Sequence, residues 1–296
     1  MRAAGGSRAD GRGESRVSVL AAPATRRVPP VARFSLERMS GLLLRQLFLY
    51  RRSMIRSLEV VYWPVLDLLV WGFLSVYVAR LRGGGAAAIA FLLGGMILWD
   101  IFFRVQQAIS VSFLEDIWTR NLVNIFVSPI STPEFLGATM LLGVAKVAVI
   151  GLLLSSLALA LYAFNIFPYA PSLLPFVVNL ILSAWGMGII TTALILRYGQ
   201  GAEVLAWAVA FLFQPFSAVF YPVAVLPAAL QRVAWMLPTT YAFEGMRMVL
   251  SGHPLPWGYV AGALGLNAVL FGIAAAVFAR VMWIARELGL LLRTEG

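Results

Sequence analysis

Cysteine is absent from all 296 residues, lysine and histidine occur once each (Lys146 and His253), and Asp plus Glu number only 13. The missing cysteine removes disulfides, thiol nucleophiles and thiolate metal sites. The lone histidine stands between Gly252 and Pro254 with no serine or carboxylate motif beside it, which gives neither catalysis nor metal ligation a basis. The lone lysine lies in LLGVAKVA, so a phosphate-binding loop of the form GxxxxGK[ST] cannot be assembled. Any ATP the protein uses must therefore bind on another chain. Charge is scarce at 12%, against 61% hydrophobic residues and a mean hydropathy of +0.86. Soluble domains carry about twice that charge and an apolar share near half, so the composition is that of an integral membrane protein.

Long apolar runs supply what the charge does not. A helix crosses a bilayer of about 30 Å in roughly 20 residues, and runs of that kind fall at 57–79, 86–110, 137–163, 172–196, 203–225 and 258–284. They are too long and alternate too little for barrel strands, so the expected fold is all-α with six transmembrane helices. Residues 1–34 carry seven arginines among Gly, Ala, Ser and Pro, and read as a disordered arm before a membrane domain over 35–296. The stretch VSVLAAPA falls far short of a signal-peptide core, so the chain is expected to start in the cytosol. With that start, ten arginines near span ends fall inside and only Arg80, Arg82, Arg232 and Arg247 outside, which predicts both termini on the cytoplasmic side. The net charge of +10 is then a signal of topology and of contact with membrane lipid, and no folded basic domain for nucleic acid is indicated.

Three segments between the spans are informative. Residues 35–57 interleave Leu42, Leu43, Leu47, Leu49 and Met54 with Arg45, Arg51, Arg52 and Arg56, the pattern of an interfacial amphipathic helix; the alternative is a cytoplasmic extension of the first span. After the second span, residues 118–127 predict a short amphipathic helix stopped by Ser128 and Pro129, with Pro133 opening the third span. Beyond residue 221, prolines at 222, 227, 238, 254 and 256 divide two short apolar helices, too short to cross and too apolar for a free loop, which predicts re-entrant or interfacial helices on the outer side.

Charged residues inside spans are costly, so each is a candidate. Asp67, in the middle of the first span, is either a substrate or proton site or a packing partner of Arg104, Lys146 or a neighbouring polar group. Asp100 and Arg104 are spaced for an i,i+4 pair near the cytoplasmic boundary. Glu244 and Arg247 are spaced for an i,i+3 pair, either a structural clamp or a contact for substrate. Lys146 is placed to snorkel toward the cytosol. Trp63, Trp99, Trp118, Trp257 and Trp283 fall near predicted span ends, where an interfacial belt is the default.

Three stretches carry a resemblance: FLLGGMILWD, LEDIWTRNLVNIFVSPISTPEFL and YPVAVLPAALQRVAWMLPTTYAFEGMR. In this order, with six spans, the chain from about Ser35 onward resembles the type-2 ABC transporter permeases, the membrane subunits of bacterial exporters. That resemblance implies a half-transporter that pairs with a second permease copy and sits on two cytosolic ABC ATPase subunits, which hold the ATP and Mg. It also implies that Glu115, Asp116, Trp118, Arg120, Asn121, Asn124, Ser128 and Pro129 form a coupling helix that docks in the ATPase. The arm before Ser35 has no counterpart in the family pattern. The implied activity is outward transport through a bacterial inner membrane of a polysaccharide, a lipid-linked glycan or another amphipathic molecule, with drug or antibiotic efflux as the alternative. WDIFFRVQQ and LEDIWTRN look closer to the polysaccharide branch. Two other classes are poorly supported: an ion-coupled carrier or channel has only Asp67 and Lys146 to offer, and an intramembrane enzyme lacks a nucleophile with its base.

Overall fold

The computed structural model describes residues 35–52, 54–82, 85–118 and 131–287. They form nine α-helices and no strand: α1 Leu36–Arg52, α2 Met54–Arg82, α3 Gly85–Trp118, α4 Thr132–Tyr162, α5 Ala170–Tyr198, α6 Leu205–Phe213, α7 Ala228–Ala234, α8 Pro238–Leu250 and α9 Trp257–Glu287. The all-α expectation holds. The bundle has a near end, where α3 finishes and α4 begins, and an opposite, far end.

Among the described residues, five helical stretches are long and apolar enough to cross a membrane: Val60–Leu81, Gly85–Glu115, Pro133–Tyr162, Phe167–Tyr198 and Trp257–Ala285. The expected span at 203–225 is different. It holds only α6, nine residues or about 14 Å of helix, followed by turns. Pro215 has no N–H to continue the ladder, and Ala218 adopts a left-handed φ of 55°, which reverses the chain. A hydropathy window averages over both events.

The bundle is built around α3 and α5, which pack along each other and are each half buried over their most apolar stretch. α2 and α4 lie against α3, α9 lies against α5, and α8 closes the far end over α3, α5 and α9. Small residues bring the backbones close, as is usual where lipid supplies no hydrophobic drive between helices. Gly143 of α4 meets Ala108 of α3, Gly188 of α5 meets Ile109, and Gly245 of α8 receives the ring of Phe176. Side-chain hydrogen bonds fix the register. Gln106 Nε2 donates to Thr191 Oγ1 at 3.3 Å between α3 and α5. Between α5 and α9, Ser183 Oγ donates to Asn267 Oδ1 at 2.8 Å, and Asn267 Nδ2 reaches the Asn179 carbonyl at 3.0 Å.

α4 stops in a left-handed C-cap at Ala163, whose N–H bonds Leu159 while that of Phe164 reaches back to Ala158, burying the Phe164 ring. α6 and the turn after it run the length of α3. Ala206 shares an apolar cluster with Phe113 and Leu114, the Phe211 ring lies 5.0 Å from Phe103, and the Val219 carbonyl rests on Gly95. Tyr241 then packs edge to face with both Trp235 and Tyr259, joining the chain after α7 to α8 and α9.

Two placements differ from expectation. α1 does not use its apolar side for lipid alone: Met39 closes on Gly137, and Leu42 and Arg45 face Phe135, Ala138 and Thr139 of α4. Leu44 and Phe48 remain exposed on its other side. Trp99, expected in an interfacial belt, is buried and packed with Phe102 and Phe103, because α3 continues for 34 residues and places it in mid-helix. Trp63, Trp257 and Trp283 are exposed, as a belt requires.

Candidate functional site

The near end carries the segment expected to couple. Glu115 is half-buried on the last turns of α3, and Asp116 and Trp118 complete that helix, although their side chains lie outside the described residues. Arg120, Asn121, Asn124, Ser128 and Pro129 fall in 119–130, also outside them. The chain resumes at Ser131. From there a capping box starts α4: the Glu134 carboxylate turns back to accept the Ser131 N–H at 2.7 Å, and Pro133 occupies the first turn, where its missing N–H costs nothing.

Glu134 does more than cap. It is fully buried, and its Oε1 also accepts the Ser35 N–H at 2.7 Å and both Nε and Nη2 of Arg38, at 3.1 and 2.7 Å. The first turn of α1 is thus tied to the first turn of α4 by charge-assisted bonds, which are roughly twice as strong as neutral ones.

In the spans, Asp100 and Arg104 form the expected pair, with Arg104 Nε donating to both carboxylate oxygens at 2.9 and 2.8 Å. The pair sits midway along the candidate span Gly85–Glu115 and not at its end. Arg104 is thereby engaged, and Asp67 makes no hydrogen bond or ion pair among the described residues. Asp67 is exposed, on a face of α2 it shares with Trp63, Val70, Leu74 and Tyr77. Asp67 feels the Arg104 charge without forming a bonded pair with it. Lys146 is half-buried on α4.

At the far end, Glu244 and Arg247 lie 2.7 Å apart on α8. Each also holds backbone. Arg247 Nη1 donates to the Ala218 carbonyl at 2.6 Å, and Glu244 Oε1 accepts the Val223 N–H at 2.7 Å. The guanidinium lies 5.2 Å from the centre of the Phe91 ring. Ser217 and Thr239 share a 2.7 Å hydrogen bond, Thr240 reaches the Phe216 carbonyl, and Phe220 stacks on Trp71 at 3.8 Å. The pair is a clamp on the chain reversal after α6, the structural alternative of the two readings.

No group of three His, Cys, Asp or Glu side chains among the described residues is placed to hold an ion. The described residues thus show a tie between α1 and the start of α4 at the near end, a tied reversal at the far end, and the exposed Asp67 carboxylate on a helix face between them. The family model of the ABC-2 type transporter matches residues 42–251, well over half of the chain. The chain belongs to the ABC-2 type transporter family. The permease is thus an ABC transporter membrane subunit, a transmembrane domain and not a nucleotide-binding one, and the family works with ATPase subunits. No curated protein matches the permease.

Sequence reasoning did not single out Glu134. Its signal was present as Ser131-Thr-Pro-Glu134, the S-x-x-E signature of a capping box directly before an apolar run. The second use of the carboxylate, by α1, has no local signature because its donors lie 96 and 99 residues away.

Proposed function

We propose that this permease is the membrane half of an ABC exporter, in which two copies enclose a pathway and cytosolic ATPase subunits, carrying ATP and Mg, grip residues 115–129. The observation that carries this reading is the family match over 42–251, which contains four of the five membrane-length helices in a chain whose single lysine cannot build a phosphate-binding loop. The interrupted segment from α6 to Val225 serves as the sixth crossing, which returns both termini to the cytoplasmic side of a bacterial inner membrane. In this orientation α7 and α8 form the outer re-entrant pair. Glu115, Asp116, Trp118, Arg120, Asn121, Asn124, Ser128 and Pro129 form the dock. Switching a pathway from 1:99 to 99:1 open takes about 5.5 kcal/mol of differential affinity, which ATP-dependent closure of a partner can deliver through a rigid connector.

The cargo in this reading is a polysaccharide, a lipid-linked glycan or another amphipathic molecule, supported by the likeness of WDIFFRVQQ and LEDIWTRN to the polysaccharide branch. One structural observation favours efflux of a cationic drug or antibiotic instead. Asp67 is exposed and makes no hydrogen bond or ion pair among the described residues, and an acid on an open helix face suits a cation better than a phosphate-linked lipid. Transport of cationic against anionic amphiphiles into inverted vesicles separates the two readings.

The docking claim is tested by co-expressing ABC ATPases of the same genome one at a time with the tagged permease. Reversing Glu115 and Asp116 to Arg, or Arg120→Glu, is expected to lower ATPase recovery at least tenfold, about 1.4 kcal/mol, with membrane insertion intact. Undiminished recovery from all the variants would overturn the assignment of this dock.

A further inference from the structure

Glu134 accepts more hydrogen bonds than a helix start needs. A capping box requires the Ser131 N–H alone, yet the same buried carboxylate takes three further donors from the first turn of α1. Both oxygens are used: Oε2 by the residue at which the proposed dock rejoins the bundle, and Oε1 by Ser35 and Arg38. Apolar contacts of Met39 with Gly137 and of Leu42 beside Phe135 flank the contact, and the Glu134 carboxylate itself is buried, which strengthens its bonds. α1 leads in turn toward α2, the helix that exposes Asp67.

We propose that Glu134 is a positioning residue that makes α1 and the exit of the coupling segment one rigid body, so that a push on residues 115–129 reaches α2 through α1 as well as α3 and α4 through their own ends. The proposal rests on the reading of 115–129 as the ATPase dock. Its chemistry demands an ionised acid of this length. An amide at position 134 has the same shape but turns an NH2 group toward either the Ser131 N–H or the Ser35 and Arg38 donors, and one side of the joint opens. Aspartate keeps the charge and both acceptors, and falls short by one methylene.

The natural absence of cysteine allows labels to be placed without background. Spin-label pairs at Leu44→Cys with Leu141→Cys, joining α1 to α4, and at Leu44→Cys with Val269→Cys, joining α1 to α9, use exposed positions. In lipid nanodiscs without partner, the α1–α4 distance distribution is expected to be narrow in the native background, broad in E134Q and intermediate in E134D. In the complex with the co-purifying ATPase, ATP with vanadate is expected to shift the α1–α9 distance in the native background. E134Q should lose that shift while still binding the ATPase and hydrolysing ATP, and E134D should keep part of it. An unchanged α1–α4 distribution in E134Q, or a full ATP-driven shift in that variant, would overturn the proposal. Failure of every ATPase to bind the native permease would instead overturn the dock, and the transmission role with it.

Discussion

Side chains in this permease hold backbone as well as each other, and for Glu244 and Arg247 this decides how a charge exchange behaves. If the two residues bonded only to one another, exchanging them as Glu244→Arg with Arg247→Glu would restore much of what either single reversal loses. Here Glu244 accepts from Val223 and Arg247 donates to Ala218, so the exchange sets a donor against an N–H and an acceptor against a carbonyl. The double variant is expected to be as unstable as either single one, each losing about 3 kcal/mol or more, the range for breaking a buried pair. Thermal unfolding in detergent checks this, and recovery of native stability by the double variant would show that the pair acts alone. Spacing in the sequence made the pair legible, but its backbone partners 21 and 29 residues away were not. Asp67 was legible as an anomaly, and only the structure shows that its nearest candidate partner, Arg104, is already engaged.

For the helices, hydropathy located five of the six expected crossings, with ends displaced by a few residues where polar turns remain helical. α3 continues past the predicted residue 110 to Trp118, about 51 Å of helix against about 30 Å of hydrocarbon, because polar residues such as Gln106 and Ser110 find partners inside the bundle. The 203–225 run failed as a continuous helix for the opposite reason, a local break at Pro215 and Ala218 that no apolar average registers. The break is held by contact between elements, and Gly95 is the test of it. A methyl group there would lie 2.7 Å from the Val219 carbonyl oxygen, which is backbone and cannot rotate away. Gly95→Ala is expected to cost about 1–3 kcal/mol by overpacking, whereas Gly258→Ala, which meets open space, should change stability by less than about 0.5 kcal/mol. Equal melting temperatures for the two variants would mean that α3 and the reversal are not in close contact.

Across the whole molecule, the proposed orientation rests on arginine distribution and on counting the α6 segment as a crossing, and labelling from the two sides tests it. Ser40 on α1 and His253 between α8 and α9 are both exposed and lie at opposite ends of the bundle. In whole cells with the outer membrane permeabilised, His253→Cys is expected to react with a membrane-impermeant maleimide, and Ser40→Cys only after the inner membrane is opened. Reaction of both cysteines before that step would remove the crossing. Of the residues that resemblance named for coupling, Arg120, Asn121, Asn124, Ser128 and Pro129 fall outside the described residues. Glu134, which ties the start of α4 at Ser131 to Ser35 and Arg38 of α1, became visible only when chain segments almost a hundred residues apart were placed together.

The reversal between α6 and α7 also constrains biogenesis. Its peptide groups lack a helical ladder of their own and take partners from Thr240, Glu244 and Arg247, all of which are synthesised later. Released from the translocon by itself, this stretch would carry unsatisfied backbone into hydrocarbon. The bonds that Thr240, Glu244 and Arg247 make to the backbone of Phe216, Val223 and Ala218 can form only once Arg247 has been made, so the reversal takes these partners from the chain that follows it.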